Sequence, residues 1–213
     1  MNILISFYVI LSSFSISTIT AFFICYVNNQ PFMNPTFSEE EKMKKITEFI
    51  RNVPLLIFQS TGLMYIVSDN IIPYGRHNCF ESLYSISLYC LLIEANYYIY
   101  HRIIHKYYYV TVHKKHHTNI IVYPFDTFFL TGLDDLASII SIGSPIMFIK
   151  ISVYEQIIIL YLYITTSYLS HSELYWSHHS IHHKLLNYNY CILFPIFDIL
   201  FRTYKYDYRE IKK

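Results

Sequence analysis

The sequence predicts an all-α, polytopic membrane protein of about four to five membrane helices, carrying a cytosolic histidine-rich helical lobe. Three observations lead there. Hydrophobic residues make up 54% of the 213 positions and charged residues 15%, against roughly 25% charged in soluble domains. Apolar runs of helix length recur along the chain. Ten of the eleven histidines fall in two blocks, each placed directly after such a run.

Taken in order, Ile3 to Val27 is uncharged and almost wholly apolar or hydroxylic. At 1.5 Å per residue it is long enough to cross a hydrocarbon layer of about 30 Å. No Lys or Arg precedes it and no small-x-small cleavage site follows, so residues 1–27 are expected to be a retained anchor. Residues 28–52 form a polar connector with Glu39-Glu40-Glu41 and Lys42, Lys44 and Lys45, for which Ser38 is the expected helix N-cap. Residues 53–213 are expected to be the catalytic domain. Its spans run over Val53–Ile72, Phe80–Tyr100, Phe128–Ile149 and Ile151–Ser170. The span at 128–149 is the weakest, because Asp134 and Asp135 are costly in hydrocarbon; it either dips partway or turns them toward a site.

Charge sets the orientation. If the spans alternate, one side collects Lys42, Lys44, Lys45, Arg51, Arg102, Lys106, Lys114, Lys115, Lys184, Arg202, Lys205, Arg209, Lys212 and Lys213, and the other only Arg76 and Lys150. Fourteen against two is a strong positive-inside bias, and it puts both histidine blocks on the cytosolic side. His77 falls on the opposite side, outside the expected site. The net charge of +1 gives no basic field to recruit nucleic acid. The four cysteines are scattered without a CxxC pair, so histidine is the expected ligand type.

The first block holds His101, His105, His113, His116 and His117; the second holds His171, His178, His179, His182 and His183. On helices, residues three and four apart share a face, which groups His101 with His105, His113 with His116 and His117, and His179 with His182 and His183. About four to six imidazole nitrogens saturate one transition-metal ion. Ten candidates suit two ions sharing a site. A hydrolytic zinc site would use three ligands and often an HExxH glutamate; no HExxH occurs here. Soluble di-iron bundles use Glu-x-x-His pairs, also missing. An all-imidazole pair of irons activating dioxygen against a lipid C–H bond fits better, with an apolar pocket supplied by the bundle. Transport would place ionisable ligands near the middle of the spans, whereas these lie at span ends.

The spacing His101-Arg-Ile-Ile-His105, His113-Lys-Lys-His116-His117 and His179-Ser-Ile-His182-His183 resembles the fatty acid hydroxylase/sterol desaturase superfamily of membrane di-iron oxygenases, over about Glu94 to Thr203. His171-Ser172, His178 to His183, Asn189-Tyr190 and Phe197 to Thr203 are similar in particular to its sterol-oxidising members. The resemblance implies a helical membrane domain with two non-haem iron ions held by the ten histidines. His178 is the alternate, which could instead face an acceptor beside the ligands, and Glu94, Asn189 and Asp198 are expected to support the ligands. It also implies dioxygen as co-substrate, a sterol or fatty acyl substrate hydroxylated or desaturated, electrons from cytochrome b5 or a reductase in trans, and an endoplasmic reticulum location. The chain departs from the family pattern at Tyr123 (His in the family), Glu173-Leu174 (Gly-Tyr), Phe197 (Trp) and Arg202 (Gly). Those departures leave a second expectation standing, a membrane metal-binding or catalytically inactive protein that keeps the scaffold.

Overall fold

The computed structural model describes residues 1–72, 77–172, 174 and 178–206. Arg76, Glu173, Arg209, Lys212 and Lys213, invoked above for charge and motif, lie outside the described residues.

Helix α1 (Ile3–Val27) begins where the Asn2 side chain accepts from the Ile5 amide at 2.9 Å. Its buried face carries Ser13, Ser17, Ala21 and Cys25 at four-residue spacing. Small residues on one stripe let two backbones approach closely. Across that stripe Ser17 Oγ donates to the Tyr161 carbonyl at 3.4 Å, and Thr18 meets the Tyr168 hydroxyl at 3.1 Å. The opposite face, with Leu4, Tyr8, Ile19 and Phe23, is exposed and apolar.

Helix α2 (Glu39–Ile66) opens on a Ser38/Glu41 capping box and runs unbroken through Pro54. The connector and the next span are therefore one helix, and the boundary expected at residue 52 falls inside it. Helix α3 (Cys79–Ile103) opens on an Asn78/Glu81 capping box and buries Ser85, Tyr89, Ile93, Tyr97 and His101. That four-residue stripe carries the core directly into the first histidine. A π-helix (Ile104–His113) continues from α3, and the Lys114 amide donates to the Tyr109 carbonyl five residues back at 2.7 Å. Helix α4 (Gly132–Gly143) is capped by Thr131 and ends in a 3₁₀ turn at Ser144–Met147. Helix α5 (Val153–Ser170) opens on a Ser152/Glu155 capping box. Two short helices, α6 (His178–Leu185) and α7 (Ile196–Leu200), complete the described chain.

A two-residue parallel pairing, β1 (Ile71–Ile72) with β2 (Ile151–Ser152), joins the segments that precede α3 and α5. Parallel starts give parallel helices, so α3 and α5 deliver their C-termini, and the histidines, to one end. His77 sits at the other end, its Nδ1 3.0 Å from Glu155. Lys150 adjoins β2 there as well. The two histidine blocks at one end and His77 at the other match the sidedness expected from the sequence.

Among the described residues one helix, α1, is long and apolar enough by length and composition to cross a membrane. The expected four to five such helices are not found by that measure. Tyrosine, serine, threonine and glutamate dilute α3 and α5, and charges dilute α2. The span expected at 128–149 is a 12-residue helix and a 3₁₀ turn, about 18 Å of α-helix at 1.5 Å per residue.

Candidate metal centre

Nine histidines converge at the end of the bundle, in two groups. His101, His105, His113, His117 and His182 form the first, and His116, His171, His179 and His183 the second; within each, one nitrogen per ring lies within 4.8 Å of all the others. The sharing is not the one helical faces suggest. Residues four apart stay together (101 with 105, 113 with 117, 179 with 183), while the residue at the intervening position crosses over, His116 to the second group and His182 to the first. One turn of helix therefore serves both groups, which ties them into a single centre. His178, expected among the ligands, stands outside both groups, with Nε2 3.3 Å from the Cys191 carbonyl.

The rings point inward by Nε2. His182 lies 3.1 Å from His105 and 3.2 Å from His117, and those two are 3.1 Å apart. In the second group His116 is 3.2 Å from His183 and 3.4 Å from His171. Around an ion with metal–nitrogen bonds near 2.1 Å, adjacent ligand nitrogens are about 3.0 Å apart.

Protons cannot account for these contacts. Burial, followed by the neighbouring imidazoles, pushes His105 and His117 down to about 2 and holds His116, His179, His182 and His183 well below the ordinary histidine value. These six rings are neutral, as are His101 and His171, which burial also holds below the ordinary value, and each carries one N–H. His101, His171 and His182 donate Nδ1–H to the carbonyls of Tyr190 (2.8 Å), Ser167 (2.8 Å) and Tyr188 (2.6 Å). A carbonyl only accepts, so in these rings Nε2 is a bare lone pair. In the triangle of His105, His117 and His182, any placement of the remaining protons leaves at least one edge without a hydrogen bond. A cation at the middle satisfies every edge, and the donor set fits a transition metal of the kind imidazole prefers.

The supporting groups divide into those the sequence named and one it half saw. Asp134 Oδ2 accepts from His113 Nδ1 at 2.8 Å, and the Tyr100 hydroxyl donates to the other oxygen of Asp134, with Ser138 donating to Tyr100 at 3.2 Å. The carboxylate that looked costly in an apolar run faces the site, and Thr131 caps the turn that aims it. Glu94, Asn189 and Asp198 touch none of the nine rings. Glu94 accepts from the amides of Ile192 (3.1 Å) and Leu193 (3.0 Å) and from the Tyr163 hydroxyl. Asp198 accepts from the amides of Tyr190 and Cys191, both at 2.8 Å. Asn189 binds the carbonyls of His178 and Lys205. All three hold the loop whose Tyr190 carbonyl orients His101. That carbonyl, like those of Ser167 and Tyr188, belongs to the backbone, where sequence motifs are silent.

Among the described residues, the departures make no hydrogen bond to the rings. The Tyr123 amide donates to Asp126, which pairs with Lys45 at 2.9 Å. Phe197 packs on Tyr98 at 6.3 Å between centroids. Leu174 is partly exposed. Arg202 adopts φ 59°, the left-handed region where glycine is at ease.

Two cavities lie beside the rings. One, of about 60 Å³, is lined by His113, His116, His171 and His179 together with Phe128 and Ser138. The other, of about 120 Å³, shares Phe128, Leu130, Ser138, Ile142 and Ser167 with it and extends between α1, α2, α4 and α5 over apolar side chains.

A helical bundle holding nine convergent imidazoles, eight of them buried, beside an apolar cavity defines a candidate polyhistidine metal site. A family model for fatty acid hydroxylases matches residues 86–203, just over half of the chain. The chain belongs to the fatty acid hydroxylase family. It is similar to a Delta(7)-sterol 5(6)-desaturase of Schizosaccharomyces pombe, with 23% identity over 219 aligned positions. That alignment covers 93% of this chain and 65% of the relative, so the chain spans about two thirds of that protein's length. No solved structure matches it.

Proposed function

We propose that the protein is a membrane-bound lipid oxygenase holding two non-haem iron ions, one in each histidine group, with a sterol as the substrate class. Iron so held supplies reductive activation of dioxygen, with electrons delivered in trans by cytochrome b5 or a reductase. The observation that carries the reading is the frustrated triangle of His105, His117 and His182, whose inward nitrogens call for a cation. The chain's own residues do the rest. Tyr190, Ser167 and Tyr188 carbonyls and the Asp134 carboxylate fix ring orientation, and such partners commonly matter 10–100-fold to metal affinity. Phe128, Leu130 and Ile142 keep the adjoining cavity apolar, so that a hydrocarbon substrate, rather than water, lies beside the rings.

The membrane setting is part of the proposal. Exposed apolar side chains run over α1, α2, α3 and α5, including Phe58, Phe80, Leu83 and Ile158. The parallel delivery of both histidine blocks supports a site at one lipid–water boundary. The basic residues gathered at that end favour a cytosolic orientation, and family precedent favours the endoplasmic reticulum. The test is expression in a sterol-producing host with lipid mass spectrometry: an oxidised or newly unsaturated sterol is expected with the wild type and is lost with His116→Ala. Identical lipid profiles for both would overturn the reading.

A further inference from the structure

Asp135 is 1% exposed, and neither carboxyl oxygen has a hydrogen-bond partner. It lines the apolar cavity between α1, α2, α4 and α5, where its surroundings are Phe14, Leu56, Met64, Ile139 and other carbon-rich side chains. Its neighbour Asp134 turns the other way and holds His113. An isolated carboxyl in such a place is costly in either charge state, and nothing in the helix requires it: Thr131 already caps the first turn. Gln156, on the facing helix α5, also leaves its Oε1 without a partner against the same cavity.

We propose that Asp135 is the polar anchor of the substrate chamber and binds the hydroxyl group of a lipid alcohol. A carboxylate accepts the hydroxyl proton, and a carboxylic acid also donates to the hydroxyl oxygen, so either form gains a partner. One step along α4 from Asp134, and one turn before Ser138, which lines both cavities, the anchor lies at the histidine end of the chamber. The hydrocarbon then extends toward Ile10, Val67 and Ile146, and the carbons presented to the rings are those near the hydroxyl. This inference rests on the lipid-oxygenase reading for its substrate, but its test needs no turnover.

Equilibrium binding to the full-length protein in detergent micelles, with cholesterol and cholestane as one pair and hexadecanol and hexadecane as the other, separates the sources of hydroxyl. Loss of a buried hydrogen bond of this kind weakens binding by about tenfold or more. Asp135→Leu is expected to weaken one alcohol by that factor while leaving its hydrocarbon unchanged, and Asp135→Asn to keep most of the affinity. Whichever alcohol responds names the lipid class. Equal losses for alcohol and hydrocarbon, or no loss for either alcohol, would overturn the proposal. So would a wild type that does not prefer the alcohol over its hydrocarbon, a comparison that stands even if Asp135→Leu fails to fold. Selective alcohol binding without any oxidised product would sink the oxygenase reading alone, and oxidised product without selective binding would sink this one alone.

Discussion

A metal-binding histidine is commonly oriented through a hydrogen bond from its other nitrogen. Asp134 does this for His113 from a distance of 2.8 Å. Asp134→Leu is expected to lower metal affinity about 10–100-fold, read as metal retained through dialysis against graded chelator, with circular dichroism unchanged. Arg202 makes the opposite kind of case. It is exposed just past the end of α7, where its φ of 59° lets the Arg202 and Thr203 amides donate to the Ile199 and Asp198 carbonyls, and a left-handed L-residue there costs about 1–2 kcal/mol. Arg202→Gly is expected to hold or raise stability by up to about 1 kcal/mol, because part of the relief is returned as chain entropy. Arg202→Val, β-branched, is expected to lower it. Thermal melts of the two variants decide this. The departure from the family's glycine is thus a matter of backbone strain, remote from the metal ligands.

At the scale of elements, the loop at 190–193 is the part most dependent on distant support. Glu94 on α3 takes two of its amides and Asp198 on α7 takes two more. Removing Glu94 leaves two buried N–H groups unpaired, at about 1–3 kcal/mol each. Glu94→Leu is therefore expected to destabilise the fold by about 2–6 kcal/mol in denaturant titration, and to reduce metal retention through the Tyr190 carbonyl behind His101. Glu94, Asn189 and Asp198 are expected as supports because they stand where the family resemblance places its acidic residue and its Asn and Asp. The sequence could not say that each works through backbone, since a carbonyl leaves no trace in residue identity. It also paired the histidines by α-helical faces. Residues four apart do stay together, but each triplet divides between the two groups, in the regular helix α6 as well as beside the π-helix, because the two groups lie close enough for one helical turn to reach both. Nothing in Ile104–His113 announces five-residue hydrogen bonding.

For the whole molecule, topology was the most legible feature. Apolar runs and the fourteen-to-two charge asymmetry sufficed to bring two blocks more than fifty residues apart to one end. Membrane-crossing length was less legible: tyrosine reads as apolar in a count, yet its hydroxyl lowers the hydropathy of α3 and α5. The burial of so many neutral imidazoles has a consequence for acid stability. With folded values near 2 for His105 and His117 against 6.5 when exposed, the unfolded chain binds more protons below 6.5. Stability is therefore full above pH 6.5 and is lost as pH falls from there toward 2, at about 1.4 kcal/mol per pH unit for each such histidine. Metal-stripped protein is expected to melt at lower temperature at pH 5.5 than at pH 7.5. A melting temperature flat across that interval would contradict the neutral, buried state of the rings.

The most direct test of two metal positions built from nine imidazoles is the metal content of purified protein by elemental mass spectrometry, compared with His182→Ala from the first group and His116→Ala from the second. About two transition-metal ions per chain are expected in the wild type and about one in each variant. Fewer than one ion per chain in the wild type, or the same content in all three proteins, would contradict it.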